Sequence, residues 1–329
     1  MRLLVLGGTH HVGRAVVEAA LERGDEVTTI NRGTLRPARG VDARLADRRE
    51  PDALAEALGN DVWDAVLDTW SHEPVVVSEA AQLLSGRAGH FTYISSRSVY
   101  AWPIPAGADE SAPLVLGDPE SAEGESYAEA KRGAEMAVKR EFGGPVLLAR
   151  AGLILGPYEI VGRLPWWLRR IAAGGPVPAP GPPERPLQYI DGRDLAQWAL
   201  QCAQRRRTGA FNAVSVPGHA TIEKVLRGCI QVTGSDAELI WRTPEQIEDV
   251  GISGWTDLPI WTPPTGELAA LHDANVDAAK AAGLSCRPIA ETVRDTWDWL
   301  QAEGWPEPPS ARAGQLGLSA EQEAALLAQ

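Results

Sequence analysis

The sequence is poor in cysteine and contains no long apolar run. Its three cysteines, Cys202, Cys229 and Cys286, are widely spaced and follow no metal-ligand pattern. They predict reduced, mostly buried thiols and no metal site. No stretch approaches the roughly 18–20 apolar residues that cross a membrane, and the short run Leu3–Leu6 lacks a signal-peptide cleavage pattern. We therefore expect a cytoplasmic protein without a membrane partner.

Basic residues are also scarce. Lysine and arginine number 31 against 44 aspartates and glutamates, which gives a net charge of −13. This charge repels phosphate backbones, and the one basic cluster, Arg205–Arg207, is typical of a solvated helix end. We expect no nucleic-acid partner. With 329 residues, 44% of them hydrophobic, the chain can bury the core of one large or two modest domains.

The amino terminus predicts a strand, a tight turn and a helix. The apolar run Leu3–Leu6 breaks at Gly7 and Gly8 and is followed by a helical pattern through Ala20. In such a turn, backbone N–H groups approach a pyrophosphate at the positive end of the helix dipole. We predict that a dinucleotide binds along the whole turn: Gly7, Gly8, Thr9, His10, His11, Val12 and Gly13.

The turn departs from the pattern G-x-x-G-x-x-G at its middle position. Counted from Gly7, the third glycine is Gly13, but the middle one is replaced by His10. A bound phosphate would therefore meet a side chain there. We interpret His10 and His11 as turn and first-turn surface residues rather than as catalytic groups.

The second predicted strand, Glu26–Ile30, ends at Asn31 and Arg32, where an NAD-specific site usually has an acid. A carboxylate there would hydrogen-bond the ribose 2′-OH, whereas an arginine accommodates a 2′-phosphate. We predict that NADP(H) is preferred, with NAD(H) left open. Arg14 and Arg36 are candidates for additional positive charge.

Asp47 and Arg48 follow a third apolar stretch. We place them at the adenine edge of the dinucleotide, with a loop-capping role for Asp47 as the alternative.

Tyr127 and Lys131 are the main candidates for chemistry. Their spacing on a helix puts the phenol and the ammonium on one face, about 5–6 Å apart at Cβ, so that the lysine charge favours a tyrosinate. The same spacing occurs by chance in many proteins. The glycine turn and the pair Ser95 and Ser96 make the catalytic interpretation the stronger one.

These pieces resemble the extended short-chain dehydrogenases/reductases, also called the NAD-dependent epimerase/dehydratase family. Residues Phe91–Tyr100 are similar to its S-S-x-x-V-Y segment, at the end of the fourth or fifth strand. The resemblance implies that Ser96 is the catalytic serine, that Tyr127 and Lys131 complete the triad, and that Ser95 and Lys131 contact the cofactor.

Two later segments resemble the same family in register. Residues Arg150–Pro157 are similar to its R-x-x-N-x-x-G-P segment, and Gln188–Ala196 are similar to Y-I-x-x-x-D-L-A. Leu153 stands where nucleotide-sugar enzymes carry an asparagine that holds the substrate. The residues of these motifs are more similar to those of an atypical branch of the family. Members of that branch have diverse roles and include plant proteins that bind RNA.

The tryptophans suggest a substrate class. Five of the twelve fall where the substrate region is expected, and we take them together to favour an apolar or aromatic substrate end, although core packing is the commoner role of each. These five are Trp166, Trp167, Trp241, Trp255 and Trp261. Trp70 and His72 follow the predicted strand Ala65–Asp68, and His72 is a further pocket candidate.

We predict an NAD(P)-dependent oxidoreductase, and more specifically an NADPH-dependent ketoreductase that acts on an apolar or aromatic small molecule. A nucleotide-sugar epimerase or dehydratase is the first alternative, and a redox-sensing or RNA-binding scaffold is the second. The sequence leaves a homodimer open.

The alternation of apolar runs and helical patterns predicts an α/β fold, a doubly wound, Rossmann-like parallel sheet with a smaller carboxy-terminal substrate-binding domain. We predict a cofactor domain at 1–150 plus about 187–215, and a substrate domain at about 151–186 and 216–305. A linker and a short terminal helix, with Ser319 and Gln322 as its capping box, make up 306–329.

Overall fold

A computed structural model describes residues 1–122, 126–305 and 316–329. Thirteen strands occur in these residues. They are β1 (Arg2–Leu6), β2 (Glu26–Asn31), β3 (Asp42–Leu45), β4 (Ala65–Asp68), β5 (Phe91–Ser96), β6 (Val146–Ala151), β7 (Leu153–Leu155), β8 (Pro176–Pro180), β9 (Pro186–Leu187), β10 (Tyr189–Asp191), β11 (Gly209–Ala213), β12 (Ala220–Thr221) and β13 (Glu238–Arg242).

The same residues form eleven α-helices and a short 3₁₀ helix, Arg97–Val99. The α-helices are α1 (His11–Glu22), α2 (Pro51–Leu58), α3 (Pro74–Leu84), α4 (Tyr127–Glu141), α5 (Arg163–Ala172), α6 (Gly192–Gln204), α7 (Ile222–Thr233), α8 (Pro244–Asp249), α9 (Asp277–Ala281), α10 (Ile289–Glu303) and α11 (Ala320–Leu327). No helix of the described residues is long and apolar enough to cross a membrane.

Seven parallel strands form the main sheet, in the order β11-β6-β5-β4-β1-β2-β3. Helices α1 and α6 pack on one face, and α2, α3 and α4 pack on the other. This arrangement confirms the predicted doubly wound fold. The strand order reverses at β1, and ligands of open α/β sheets bind in the crevice beyond the carboxyl ends of the strands at such a point.

A third apolar cluster lies beyond the main sheet, formed by residues between Leu153 and Leu326. It contains α5, α7 and α10 and three two-stranded sheets, β7 with β10, β8 with β13 and β9 with β12. The domain bounds given above stay a prediction.

The carboxy-terminal helix α11 packs on this third cluster. Ser319 and Gln322 form the predicted capping box, and Leu326 is buried. Glu323 binds Arg170 of α5 at 2.7 Å, and Arg242 donates to the last carbonyls of the helix. The expected linker at Pro306–Pro309 lies outside the described residues.

Candidate active site

The glycine turn between β1 and α1 has the geometry of a dinucleotide cradle. Gly7 and Gly8 have φ angles of 119° and 98°, in the left-handed region that side chains disfavour. A Cβ on Gly13 would lie 2.7 Å from the Gly8 backbone nitrogen, so the start of α1 packs directly against the turn. The first turn of α1 contains no acidic residue. The turn therefore fits an anionic pyrophosphate at the helix N-terminus.

The side chains of the two histidines of the turn lie in different environments. His10 is the exposed N-cap of α1 and makes no side-chain cap bond. The His11 ring is instead enclosed: one nitrogen bonds the Leu155 carbonyl, and burial lowers the pKa of His11 to about 4. The interpretation of His11 as a first-turn surface residue is therefore wrong. Of the other turn residues, Val12 is part of the core and Thr9 is half-buried.

Arg32 lies beside this turn. Asn31 accepts the Gly33 N–H at 2.9 Å, which forms a tight turn at the end of β2 and leaves Arg32 exposed. Partial burial of the His10 ring lowers its pKa, and the charge of Arg32 lowers it further. The guanidinium of Arg32 therefore acts electrostatically on the glycine turn.

Arg48 differs from its expected role. Its guanidinium is buried and donates two hydrogen bonds of 2.7 Å to the carboxylate of Asp68 at the end of β4. It also lies over the ring of Trp70, 5.1 Å from the centroid. We therefore correct the assignment of this side chain to the adenine edge, because the guanidinium fixes Asp68 instead. Asp47 accepts the Arg49 N–H, as in the loop-capping alternative.

Ser96, Tyr127 and Lys131 lie at the carboxyl edge of the sheet. Ser96 is the last residue of β5, and its hydroxyl donates to Ser98 Oγ at 3.1 Å. Tyr127 begins α4 and is 48% exposed. Lys131 is buried one turn later and donates to the carbonyls of Trp70 at 2.6 Å and Ile94 at 2.7 Å.

Burial shifts the pKa of the Lys131 ammonium below its ordinary value. Burial lowers its pKa to about 7, while the carboxylates of Asp68 and Glu135 oppose this shift. A cation at this position is stabilised mainly by the two carbonyls and these two acids. The lowering of the Tyr127 pKa by Lys131 stays a prediction.

Ser95 is part of a buried ion-pair network rather than a cofactor contact through its side chain. Its hydroxyl donates to Glu135 at 2.8 Å, and Glu135 binds Arg150 of β6 through both oxygens at 2.9 and 3.0 Å. Glu135 lies four residues after Lys131, so this network fixes α4 against β5 and β6. Neither Glu135 nor Asp68 was identified from sequence. Their only signal was a charge within an apolar pattern.

Trp70 and His72 follow β4 at the same edge. The backbone carbonyl of Trp70 accepts hydrogen bonds from both Lys131 and Tyr93. The side chain of His72 is exposed, and its ring packs edge-on against the Trp70 ring with the centroids 5.8 Å apart. Burial lowers the pKa of His72, and Arg49, Lys131 and Arg32 lower it further. His72 therefore shares the electrostatic environment of Lys131 and Arg32.

The five tryptophans of the third cluster belong to its packing. Trp167 and Trp261 are fully buried, and their indole N–H groups donate to the carbonyls of Pro259 and Gly181. Trp166, Trp241 and Trp255 pack against the same cluster. Their number therefore does not support an aromatic substrate.

A buried histidine holds the loop that faces the 3₁₀ helix after Ser96. His272 accepts the Gln188 N–H at 3.1 Å, and its other nitrogen pairs with the Ile260 carbonyl at 3.1 Å. Burial lowers the pKa of His272 to about 4. In the folded state this ring is neutral down to that pH.

We expect His272 to make the fold acid-sensitive. Because its folded pKa lies below the unfolded value of about 6.5, its contribution is complete above pH 6.5 and is lost as the pH falls towards 4, by at most about 3 kcal/mol. Urea unfolding of wild type and His272→Gln across this range measures it. The variant should show a shallower loss of stability with acid, and equal slopes would contradict the assignment.

A family model describes most of the chain's amino-terminal two thirds. Residues 3–215 match the model of the NAD dependent epimerase/dehydratase family. The chain belongs to this family. The match includes the glycine turn, Ser96, Tyr127 and Lys131, so the resemblance inferred from the motifs is confirmed.

Several solved structures share the fold. The Bordetella bronchiseptica enzyme WbmH in complex with NAD+ superimposes with a TM-score of 0.70 at 18% identity, covering 92% of this chain and 99% of that one. A putative epimerase from Burkholderia cenocepacia gives 0.68 at 20% identity, covering 92% and 98%. Thermus thermophilus UDP-glucose 4-epimerase complexed with NAD gives 0.64 at 18% identity, covering 92% and 100%. A search of curated proteins finds no significant match.

Proposed function

We propose that this protein is an NAD(P)-dependent oxidoreductase that interconverts a carbonyl and a hydroxyl group of a small molecule. The observation that carries the proposal is the position of Ser96, Tyr127 and Lys131 at one sheet edge, beside a glycine turn that fits a dinucleotide. When bound, the nicotinamide would supply or accept the hydride. More specifically, we propose that the protein is an NADPH-dependent ketoreductase.

The three residues divide the remaining work. Ser96 would donate a hydrogen bond to the substrate oxygen, once its hydroxyl turns away from Ser98 Oγ. Tyr127, which is half-exposed at the start of α4, would transfer the proton at that oxygen as general acid or base. Lys131 would bind the nicotinamide ribose and stabilise the tyrosinate.

The residues around the turn would hold the dinucleotide. The first N–H groups of α1 face a pyrophosphate, and Arg32 would pair with a 2′-phosphate on the adenine ribose. WbmH was solved with NAD+ and the Thermus epimerase with NAD. The preference for NADP(H) in this chain rests on Arg32 in place of an acid, with Arg14 and Arg36 as candidates for additional charge.

We expect Arg32→Ala to weaken NADPH binding by on the order of 10- to 100-fold, the range of one charge-assisted bidentate contact, with the lower end favoured because Arg32 is exposed. NADH binding should change little. Calorimetric titration of both cofactors into wild type and variant measures this, with Arg227→Ala, which changes an exposed arginine of α7, as the control. Equal affinities of the wild type for both cofactors would refute the preference.

A nucleotide-sugar epimerase is the second candidate, favoured by the solved relatives. Such an enzyme keeps its cofactor and returns the hydride to the same substrate. Against it stands Leu153, which is buried in the third apolar cluster and offers no amide to a sugar.

One experiment separates the two candidates. The ketoreductase proposal predicts steady loss of NADPH absorbance with a carbonyl substrate and no tight binding of UDP- or dTDP-sugars by calorimetry. Micromolar affinity for either nucleotide sugar, with a cofactor that stays bound through turnover, would favour the epimerase.

A further inference from the structure

Arg97 follows Ser96 directly and is one of three buried arginines among the described residues. The other two, Arg48 and Arg150, each bind a carboxylate through two nitrogens. Arg97 has no ion pair with any described residue. Its Nη1 donates to the Leu271 carbonyl, and its guanidinium lies 5.7 Å from the centre of the Trp102 ring.

The remaining nitrogens of Arg97 form one edge of the guanidinium. Nε and Nη2 are buried and have no hydrogen-bond partner in the described part of the chain. Their N–H groups point in the same direction, which is the arrangement that binds the two oxygens of a carboxylate side by side. A buried polar group left without a partner in a folded protein calls for an explanation, and a ligand is one.

The surroundings of Arg97 favour an anion. Arg97 and Arg185 both lower the pKa of His272, so the two guanidiniums lie close to the same ring. Asp273 is the one carboxylate that acts on both, and it forms no ion pair with either within the described residues. Arg185 is satisfied by the carbonyls of Thr262, Pro263 and Ala269. The Nε and Nη2 edge of Arg97 thus has no partner among the described residues, carboxylates included.

We propose that this edge of Arg97 binds a carboxylate of the substrate, which makes the substrate an oxo acid or hydroxy acid. This inference rests on the proposed oxidoreductase function. Arg97 directly follows Ser96 at the carboxyl end of β5, so the proposed carboxylate site belongs to the same sheet edge as the proposed catalytic serine. Arg97 would act as a specificity-determining residue, while proton transfer belongs to Tyr127.

The test compares oxo acids with their uncharged methyl esters. Pyruvate, 2-oxobutanoate and benzoylformate, each paired with its ester, are titrated by calorimetry into the protein saturated with NADP+, and their turnover is measured with NADPH. For at least one pair, we expect the acid to bind 10-fold or more tightly than the ester. Arg97→Gln should abolish this difference. Arg97→Lys keeps the charge but loses the paired N–H groups, so it should retain only part of the difference.

The outcomes separate the inference from the function on which it rests. Binding of the acids that depends on Arg97, without turnover, would support the carboxylate site and contradict the oxidoreductase. Turnover that is equal for acids and esters, or unchanged in Arg97→Lys, would support the oxidoreductase and overturn the role of Arg97. Preferential binding of inorganic phosphate over every acid would also overturn it. If Arg97→Gln does not fold, the comparison of wild type with Arg97→Lys decides.

Discussion

Tyr127→Phe is expected to lower turnover by roughly 10²-fold or more, the usual scale of general acid–base catalysis, with little change in cofactor affinity. The phenolic hydroxyl is the only group removed, and the phenyl ring keeps its place at the start of α4, where Ser126 and Glu129 form the capping box. Single-turnover reduction of a carbonyl substrate, with NADPH affinity measured separately, gives both quantities.

Variants of two lysines on the same helix provide the control. Lys131→Met removes the buried ammonium between Trp70 and Ile94, whereas Lys139→Met changes an exposed residue two turns later. The first should lose activity and the second should not. Near-normal turnover in Tyr127→Phe would show that the proton is carried by another group.

Glu135→Ala is expected to destabilise the protein by about 3–5 kcal/mol, the cost of leaving a buried charge without its partner. Glu135 is fully buried and is the partner that binds Arg150 through two hydrogen bonds. It also accepts the Ser95 hydroxyl, so its loss removes three contacts between α4 and the sheet. Urea unfolding at neutral pH measures the change.

Glu120→Ala is the matched control. Its carboxylate pairs with Arg140 on the surface, where an ion pair contributes about 0–1 kcal/mol. A loss in Glu135→Ala no larger than that of the surface variant would mean that the Arg150 pair adds little, and that α4 is held by apolar packing alone.

The fold could be predicted because its strands and helices follow a periodic pattern of apolar residues in the sequence. Apolar strands such as Leu3–Leu6 and Ala65–Asp68 alternate with helical stretches, and glycines mark the turn before α1. The spacing of Tyr127 and Lys131 predicted a shared helix, and α4 begins at Tyr127. These features depend on residues near in sequence.

The partners of buried charges were not predictable. Arg48 and Asp68 are twenty residues apart, and nothing in either segment indicates that they bind each other. The same holds for Glu135 with Arg150, and for the enclosed ring of His11 beside Leu155. Each pairing is set by how strands and helices meet in three dimensions, so Arg48 and Ser95 looked like cofactor contacts in the sequence.

The role of the tryptophans could not be predicted from the sequence either. Composition revealed their number but not the direction of each side chain, and Trp167 and Trp261 fill the third apolar cluster. An unpartnered guanidinium edge, as on Arg97, is likewise visible only once the neighbours are placed.

We propose that a nicotinamide dinucleotide binds at the turn between β1 and α1, and a substitution at Gly13 is the sharpest test of this proposal. A side chain there would press on the Gly8 backbone, whereas a Cβ on Gly228 of α7 would make ordinary contact with Val293 at 3.7 Å. Titration of NADPH and NADH into wild type, Gly13→Val and Gly228→Ala, with circular dichroism to verify folding, is the measurement. We predict binding to wild type and Gly228→Ala and its loss in folded Gly13→Val. Equal binding to all three proteins, or no binding of either cofactor to the wild type, would rule out a dinucleotide site at this turn.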